Sequence, residues 1–397
     1  MASVRTMDPD LNLIHDLRKA GGDTLNKCYQ CATCSIVCDL SPADKPFPRK
    51  EMLMAQWGQT ERLVADPDIW LCHQCADCTT YCPRGARPGD VLAAIRNFIY
   101  RAYSVPAFMG KALPSPAALP ILLAVPIAIL LACVLMFAPT GVDGSYLFLA
   151  AGHTIDFNVF LPHSTVDVVF VGATLLVFIL AVFGFTRFWK ALKAGNPEVK
   201  MSFIPALIAT MVEFISHSRF KQCEENRPRA TAHLLLVLGF GLAFASTILV
   251  FVQTFIPHYI QAFFVEDFHP FFEVPASELP FGLANHIKIL GILGGIGILV
   301  GTLMLLYRHW TDADKVGANG YADSLFLYVV FFAGLTGMAA WLVRLSGAAM
   351  GAYACYFAHL LCVFMLLVYL PYSKFAHMVY RTLALTHCRM IGREPRT

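Results

Sequence analysis

The chain has 397 residues, of which 57% are hydrophobic and only 14% charged, far below the roughly 25% charge usual for soluble domains. Its apolar residues lie in long blocks, which excludes a wholly soluble protein and points to an integral membrane one. A net charge of +3, with the basic residues scattered among loops, is too small a positive field for a nucleic-acid footprint.

Met1 to Ala20 has no apolar core and carries Asp16, Arg18 and Lys19. No secretory signal is read there, so the N-terminus is expected in the cytoplasm. Eight of the thirteen cysteines follow before Pro83, and in a reducing compartment metal ligation accounts for them better than disulfides. Cys28-x2-Cys31-x2-Cys34-x3-Cys38 and Cys72-x2-Cys75-x2-Cys78-x3-Cys82-Pro83 are two copies of the bacterial two-cluster ferredoxin pattern. The x2 spacing wraps three thiolates round one iron–sulfur cube, and the fourth cysteine of each run reaches the other cube. Cys28, Cys31, Cys34 and Cys82 are thus expected to hold one [4Fe–4S] cluster, and Cys72, Cys75, Cys78 and Cys38 the second. Paired zinc ribbons are the alternative, but four cysteines per run are one too many for the usual zinc knuckle.

Asp39 stands where the second run has Pro83, and the 33 residues between the runs include a helix-forming stretch from Arg49 to Glu61. The module is therefore expected to be ferredoxin-like with a helical insert. Residues 10–105 resemble the small iron–sulfur subunit of heterodisulfide reductases. Cys133, Cys223, Cys355, Cys362 and Cys388 make no cluster motif and read as packing residues.

Val105 to Pro120 contains four prolines and marks a linker into the bilayer. The expected division is a cytoplasmic two-cluster domain over 1–105, a linker over 106–116, a membrane domain over 117–380 and a cytoplasmic tail over 381–397. Apolar runs near 117–138, 165–189, 232–256, 283–307, 322–344 and 352–375 each suffice for a ~30 Å hydrocarbon core. The fold class is thus multi-domain: an α-helical ferredoxin-like module and an all-α bundle of six transmembrane helices, with both termini on one side. Loop 190–230 carries Lys190, Lys193, Lys200, Arg219, Lys221, Arg227 and Arg229, and the tail adds Arg381, Arg389, Arg393 and Arg396. Loops 139–164 and 257–282 hold Asp143, Asp156, Glu266, Asp267, Glu273 and Glu278 but no Lys or Arg. The positive-inside rule then puts the termini in the cytoplasm of an inner-membrane protein. Phe203 to Phe220, with Glu213, His217 and Arg219 on one side, suits a helix lying at the cytoplasmic interface. Gly291 to Gly301 and Gly334 to Gly337 suit close helix packing in lipid.

Histidines in apolar spans are functional hypotheses by default. His359 and His377 are 18 residues apart; on one continuous helix that is five turns, about 27 Å along a single face. One helix could then serve two haems, whereas the plainer reading makes His359 a packing residue and His377 an interfacial one. His359-Leu360, Pro371-Tyr372-Ser373-Lys374 and His377 resemble the last helix of the dihaem cytochrome b subunit of respiratory nitrate reductases. That resemblance implies haem b, and it pairs His377 with His233 of the third span. The family's second histidine on that earlier helix falls at Ala243, so a distal haem on His359 needs another partner. His286 is the favoured one and His163 the next, while His153, His258 and His269 occupy loops or span ends; a chain with no second haem remains open. Lys288 matches a lysine that contributes to the quinone site of the same relatives, and its plainer reading is a side chain snorkelling to the surface. Glu213 and His217 either line a cytoplasmic quinone site or face solvent.

An iron–sulfur module of this type fused to a haem b module of this size resembles the membrane component of the quinone-interacting membrane-bound oxidoreductase complex of sulfate reducers. That resemblance implies menaquinol as substrate and cytoplasmic flavin and iron–sulfur subunits as partners, with adenylylsulfate reductase as terminal acceptor. Two alternatives are the membrane arm of a heterodisulfide reductase or sulfite-linked complex, and a non-redox membrane anchor. The chain has no Cys-Cys-Gly repeat and no Gly-x-Gly-x-x-Gly fingerprint, so flavin and terminal-substrate chemistry are expected on other polypeptides.

Overall fold

Six helices are long and apolar enough to cross a membrane: Pro116–Phe137, His163–Gly195, Arg229–Gln261, His286–Thr311, Tyr321–Leu345 and Ala349–Val368. We number them as the first to sixth spans. The computed structural model describes residues 8–150, 155–195, 198–216, 227–263, 282–283, 285–311 and 320–393. Among them, extended pairing is confined to an isolated bridge between Thr140 and Tyr146.

The third and fourth spans cross at the glycines. A Cβ on Gly297 would lie 2.9 Å from the Gly239 Cα, and one on Gly294 only 2.6 Å from the Ala243 nitrogen. Small residues there let the two backbones touch, the usual source of helix association in lipid. Ala243 is thereby committed to this crossing, which explains why that position carries no ligand.

The second span has 33 residues, or about 50 Å at 1.5 Å per residue, well over the ~30 Å hydrocarbon core. Its last turns reach the cysteine-rich module, where Phe188 and Leu192 join the core. That module is built from short helices, Thr33–Ile36, Arg49–Gln56, Thr60–Val64 and Asp77–Thr80, packed under the longer Pro88–Tyr103. The helical insert between the cysteine runs is thus present. Gly184 of the second span meets the Tyr103 carbonyl so closely that a Cβ would lie 2.5 Å from that oxygen.

The sixth span does not run through to His377. Its helix ends at Val368, two 3-10 turns follow at Leu370–Tyr372 and Lys374–Ala376, and a separate helix covers His377–Met390. Pro371 has no N–H and cannot continue the helix, while Ser373 accepts from the Phe375 nitrogen at 3.2 Å and starts the next turn. The shared helix face expected for His359 and His377 therefore does not exist. Residues 381–390, assigned by sequence to the tail, continue this helix, which buries Tyr380, Ala384, Leu385 and Cys388 in the same core as Trp70 and Phe188. The interfacial helix, described over Phe203–Ser216, lies against it: Arg389 donates to Thr210 and pairs with Glu213.

Candidate functional site: two cysteine loops above a histidine pair

The two cysteine runs share a local sequence, Cys-x-Gln-Cys-Ala-x-Cys, and a local backbone. Gln30, Ala32, Gln74 and Ala76 have φ of 61°, 69°, 54° and 73°, a left-handed conformation that costs non-glycine residues energy. Alternation of these with the negative-φ residues Cys31 and Cys75 is the backbone pattern that turns successive N–H groups inward, a nest suited to negative charge. The Gln74 nitrogen donates to Cys72 Sγ and the Ala86 nitrogen to Cys82 Sγ, each at 3.3 Å, and Gln30 Nε2 donates to Cys28 Sγ at 3.4 Å.

The fourth cysteine of each run crosses to the other. Cys82 is close enough for its charge to bear on Cys28 and Cys34, and Cys38 does the same to Cys78. Cys38, Cys72, Cys75 and Cys78 together line one small pocket. Burial pushes the Cys34 thiol up to about 11 and raises those of Cys28 and Cys78, whereas the Thr33 hydroxyl lowers that of exposed Cys31. Among the described residues, no three cysteine sulfurs lie within 4.8 Å of one another. A tetrahedral zinc at Zn–S ~2.3 Å would bring them to ~3.8 Å. The donor sets fit iron–sulfur cubes better than zinc.

The second cysteine loop is held from three sides by arginine. Arg229, opening the third span, donates to the carbonyls of His73 and Gln74 at 3.0 Å each. Arg381 donates to the Cys72 carbonyl at 3.2 Å and meets His73 Nε2 at 2.9 Å. Arg96 donates to the Ile69 carbonyl and to Gln74 Oε1 at 3.2 and 3.4 Å. His233 comes four residues after Arg229, and His377 four before Arg381, so each histidine sits about 6 Å along a helix from an arginine that grips the loop. Phe240, two turns beyond His233 on the same face, rests against Phe375 with centroids 5.2 Å apart.

Although His359 and His377 lie on separate helices, both have Nδ1 on a backbone carbonyl: His377 on Lys374 at 2.8 Å and His359 on Ala333 at 2.9 Å. As Nδ1–H donors, they present an Nε2 lone pair, the arrangement that orients ligand histidines on a metal. Burial pushes the His377 imidazole down to about 3, so its ring is neutral. That donor chemistry fits haem iron. His359 turns to the fifth span, where a Cβ on Gly337 would come within 2.8 Å of its ring. His286 begins the fourth span with its side chain exposed, and half-buried Lys288 stands over the Trp341 ring at 5.0 Å. No described contact joins His286 to His359. His163 packs on Phe255, and one turn further Asp167 accepts from Tyr259 at 2.9 Å. His153, His217, His269 and Cys223 lie outside the described residues, as does the side chain of His258. Cys133 and Cys388 are buried packing residues.

The arginine grip was missed by sequence reasoning, which used Arg229 and Arg381 only for topology; their four-residue offsets from His233 and His377 were the available signal.

Residues 24–86 match the family model described as a 4Fe-4S dicluster domain, and residues 112–397 match that of citrate utilization protein B. The chain belongs to the citrate utilization protein B family. Citrate utilization protein B of Escherichia coli is 28% identical over 375 residues, covering 90% of this chain and 88% of that protein. Within this family member, the N-terminal module is similar to another set of proteins. The C subunit of the H(2):CoB-CoM heterodisulfide,ferredoxin reductase of Methanothermobacter marburgensis is 32% identical over 97 residues, 24% of this chain and 51% of that protein. An Archaeoglobus profundus protein, described as like the C subunit of heterodisulfide reductase, is 30% identical over 90 residues, 22% of this chain and 48% of that protein. The chain thus spans about half the length of these heterodisulfide reductase relatives. No solved structure matches it. It is an iron–sulfur electron-transfer protein similar to the heterodisulfide reductase C subunit, joined to a helical domain of citrate utilization protein B type.

Proposed function

We propose that this chain is the membrane subunit of a quinone-linked oxidoreductase, passing electrons between menaquinone and a cytoplasmic flavoprotein. The observation that carries the proposal is the pair of four-residue steps, Arg229 to His233 and His377 to Arg381, which join one candidate haem site to the second cysteine loop. His233 and His377 would hold a haem b at the cytoplasmic side, Cys28, Cys31, Cys34 and Cys82 one [4Fe–4S] cluster, and Cys72, Cys75, Cys78 and Cys38 the other. Bound there, these groups supply one-electron carriers, which a two-electron quinol and a two-electron flavin need between them. The placement of the residues supports an order for them: His233 near the start of the third span and His377 just after the sixth, the second loop joined to both helices by Arg229 and Arg381, and exposed Cys31 of the first loop toward solvent. Lys288, beside Trp341 at the other end of the fourth span, is the proposed quinone-binding cation. Both termini are cytoplasmic in this reading, as the basic loops favour.

Two readings of the soluble partner follow. The resemblance to the sulfate reducers' complex favours a partner that feeds adenylylsulfate reductase. The match with citrate utilization protein B over 90% of the chain favours a flavoprotein that oxidises a citrate-like carboxylic acid, with electrons entering the quinone pool.

The test is a reduced-minus-oxidised spectrum and metal analysis of the purified full chain. A b-type haem band reducible by a menaquinol analogue, with about eight cluster irons per chain, is expected. A chain without haem, or with stoichiometric zinc, overturns the reading.

A further inference from the structure

Four guanidinium groups converge where the third and fourth spans meet the cysteine loop. Arg308 and Arg96 are the charges that bear most on Arg229, and Arg381 and Arg96 both bear on His377. Arg96, Arg229 and Arg381 each spend hydrogen bonds on neutral loop groups. Arg308 differs: its Nη1 is buried with no hydrogen-bond partner. Arg308 lies seven residues, two turns, beyond Gly301, whose missing side chain admits Leu236 and Ala232 of the third span. It shares that helix face, which turns it toward Arg229 at the cytoplasmic mouth of the crossing. The cysteine loop offsets part of this charge, since Cys72 and Cys75 bear on Arg229, but Arg308 Nη1 has no partner there, and a buried cationic donor left idle is unfavourable unless an anion joins it. Guanidinium groups select planar carboxylates, which they bind with paired hydrogen bonds.

We infer that Arg308, with Arg229, forms a carboxylate cradle that receives the propionates of the haem whose iron His233 and His377 hold. This rests on the proposed haem site and adds to it the residues that seat the porphyrin edge. Each histidine is about one helical turn from an arginine of this layer, so a haem held by the two would have its carboxylates within reach of Arg308. A phospholipid phosphate shares the anionic chemistry, but it sits at a lipid-facing rim, whereas the Arg308 Nη1 atom is buried within the protein.

The test uses the full chain in detergent with three variants, Arg308→Gln, Arg308→Lys and His377→Ala, reading haem per chain, haem midpoint potential and the cluster resonance signals. Arg308→Gln is expected to lower the midpoint, because losing a nearby positive charge favours the ferric state, and to at least halve haem retention after washing. Arg308→Lys should fall between it and the parent, with cluster signals unchanged in both. Independently of any substitution, haem-free parent protein should take up haem dimethyl ester, which has no free carboxylates, several-fold less well than haem. Unchanged midpoint and retention in Arg308→Gln, with haem lost from His377→Ala, would overturn the cradle and leave the haem site standing. Phospholipid that co-purifies with the parent and is lost from Arg308→Gln, with haem retention unchanged, would overturn the cradle in favour of a lipid site. A parent chain that binds no haem would sink both.

Discussion

The indole of Trp70 lies face to face with the phenol ring of Tyr380, centroids 5.7 Å apart and planes 10° from parallel. Trp70 closes the segment before the second cysteine run, and Tyr380 belongs to the helix after the sixth span. Tyr100 and Phe188 complete the cluster, at 5.5 and 5.0 Å from Tyr380, so the module, its long helix, the second span and the C-terminal helix share one aromatic core. Offset and edge contacts of this kind add to the burial of large rings. Tyr380→Ala should therefore destabilise the module by about 3–5 kcal/mol, read from denaturant unfolding of the cluster signal. A loss under about 1 kcal/mol would show that the ring packing does not hold the junction.

Crossed ligation makes an asymmetric prediction for the fourth cysteines. Cys38→Ala should chiefly damage the cluster held by Cys72, Cys75 and Cys78, and Cys82→Ala the one held by Cys28, Cys31 and Cys34. Low-temperature electron paramagnetic resonance of the two variants distinguishes the clusters. Loss in Cys38→Ala of the first-run cluster alone would refute the crossing.

The six long apolar helices and the two cysteine runs were legible because both are local: about 20 apolar residues make a span, and four cysteines at x2, x2, x3 make a run. Gly294 and Gly297 also signalled their crossing, since small residues in lipid have few other uses. The break after Val368 was less visible because Leu370, Tyr372 and Phe375 keep the segment partly apolar, and these outweighed the contrary marks Pro371, Ser373 and Lys374. The buried role of Tyr380, Ala384, Leu385 and Cys388 was hidden for a different reason. Their partners lie roughly 190 to 310 residues earlier, and the basic residues interleaved with them resemble those of an exposed cytoplasmic tail.

Stability of the module should fall with rising pH through Glu51. Its carboxyl is fully buried among Asp66, Asp68 and Lys50, with Arg393 donating to Asp68 from Nε at 2.6 Å and Asp44 on the outer side of Arg393. Burial, then the Asp66 charge, raises Glu51 well above the ordinary carboxylate range, and burial raises Asp66. A carboxyl with a raised folded pKa binds protons better folded than unfolded, so its stabilising contribution is full below the unfolded value near ~4.3 and is lost as pH rises through the folded one. Lys50 is also raised, and its contribution persists up to the unfolded lysine value near ~10.4. The Glu51 contribution therefore slopes downward as pH rises above the unfolded carboxylate value, whereas burial lowers His387 and His377, whose contribution slopes upward until the unfolded histidine value of ~6.5. Urea midpoints should therefore fall more, or rise less, with increasing pH in the parent than in Glu51→Gln. An equal slope in the two proteins would rule Glu51 out as its source.

The second haem turns on His359, and Gly337 offers a way to test it without touching the histidine. A Cβ on Gly337 would lie 2.8 Å from the ring Cε1 and 3.0 Å from Nδ1, too close for the ring to stay where its Nδ1 meets the Ala333 carbonyl. Ring orientation set by such an outer hydrogen bond is what fixes a ligand histidine on its metal. If His359 holds a haem, Gly337→Ala should lower haem per chain from two toward one, as His359→Ala should, and both should spare the component lost from His233→Ala and His377→Ala. His286→Ala should give the same reduced count if it supplies the opposite ligand. An unchanged count there, with a fall in His163→Ala, moves the partnership to His163. A count of one in the parent, unaltered by either His359→Ala or Gly337→Ala, makes His359 a packing histidine hydrogen-bonded to the fifth span.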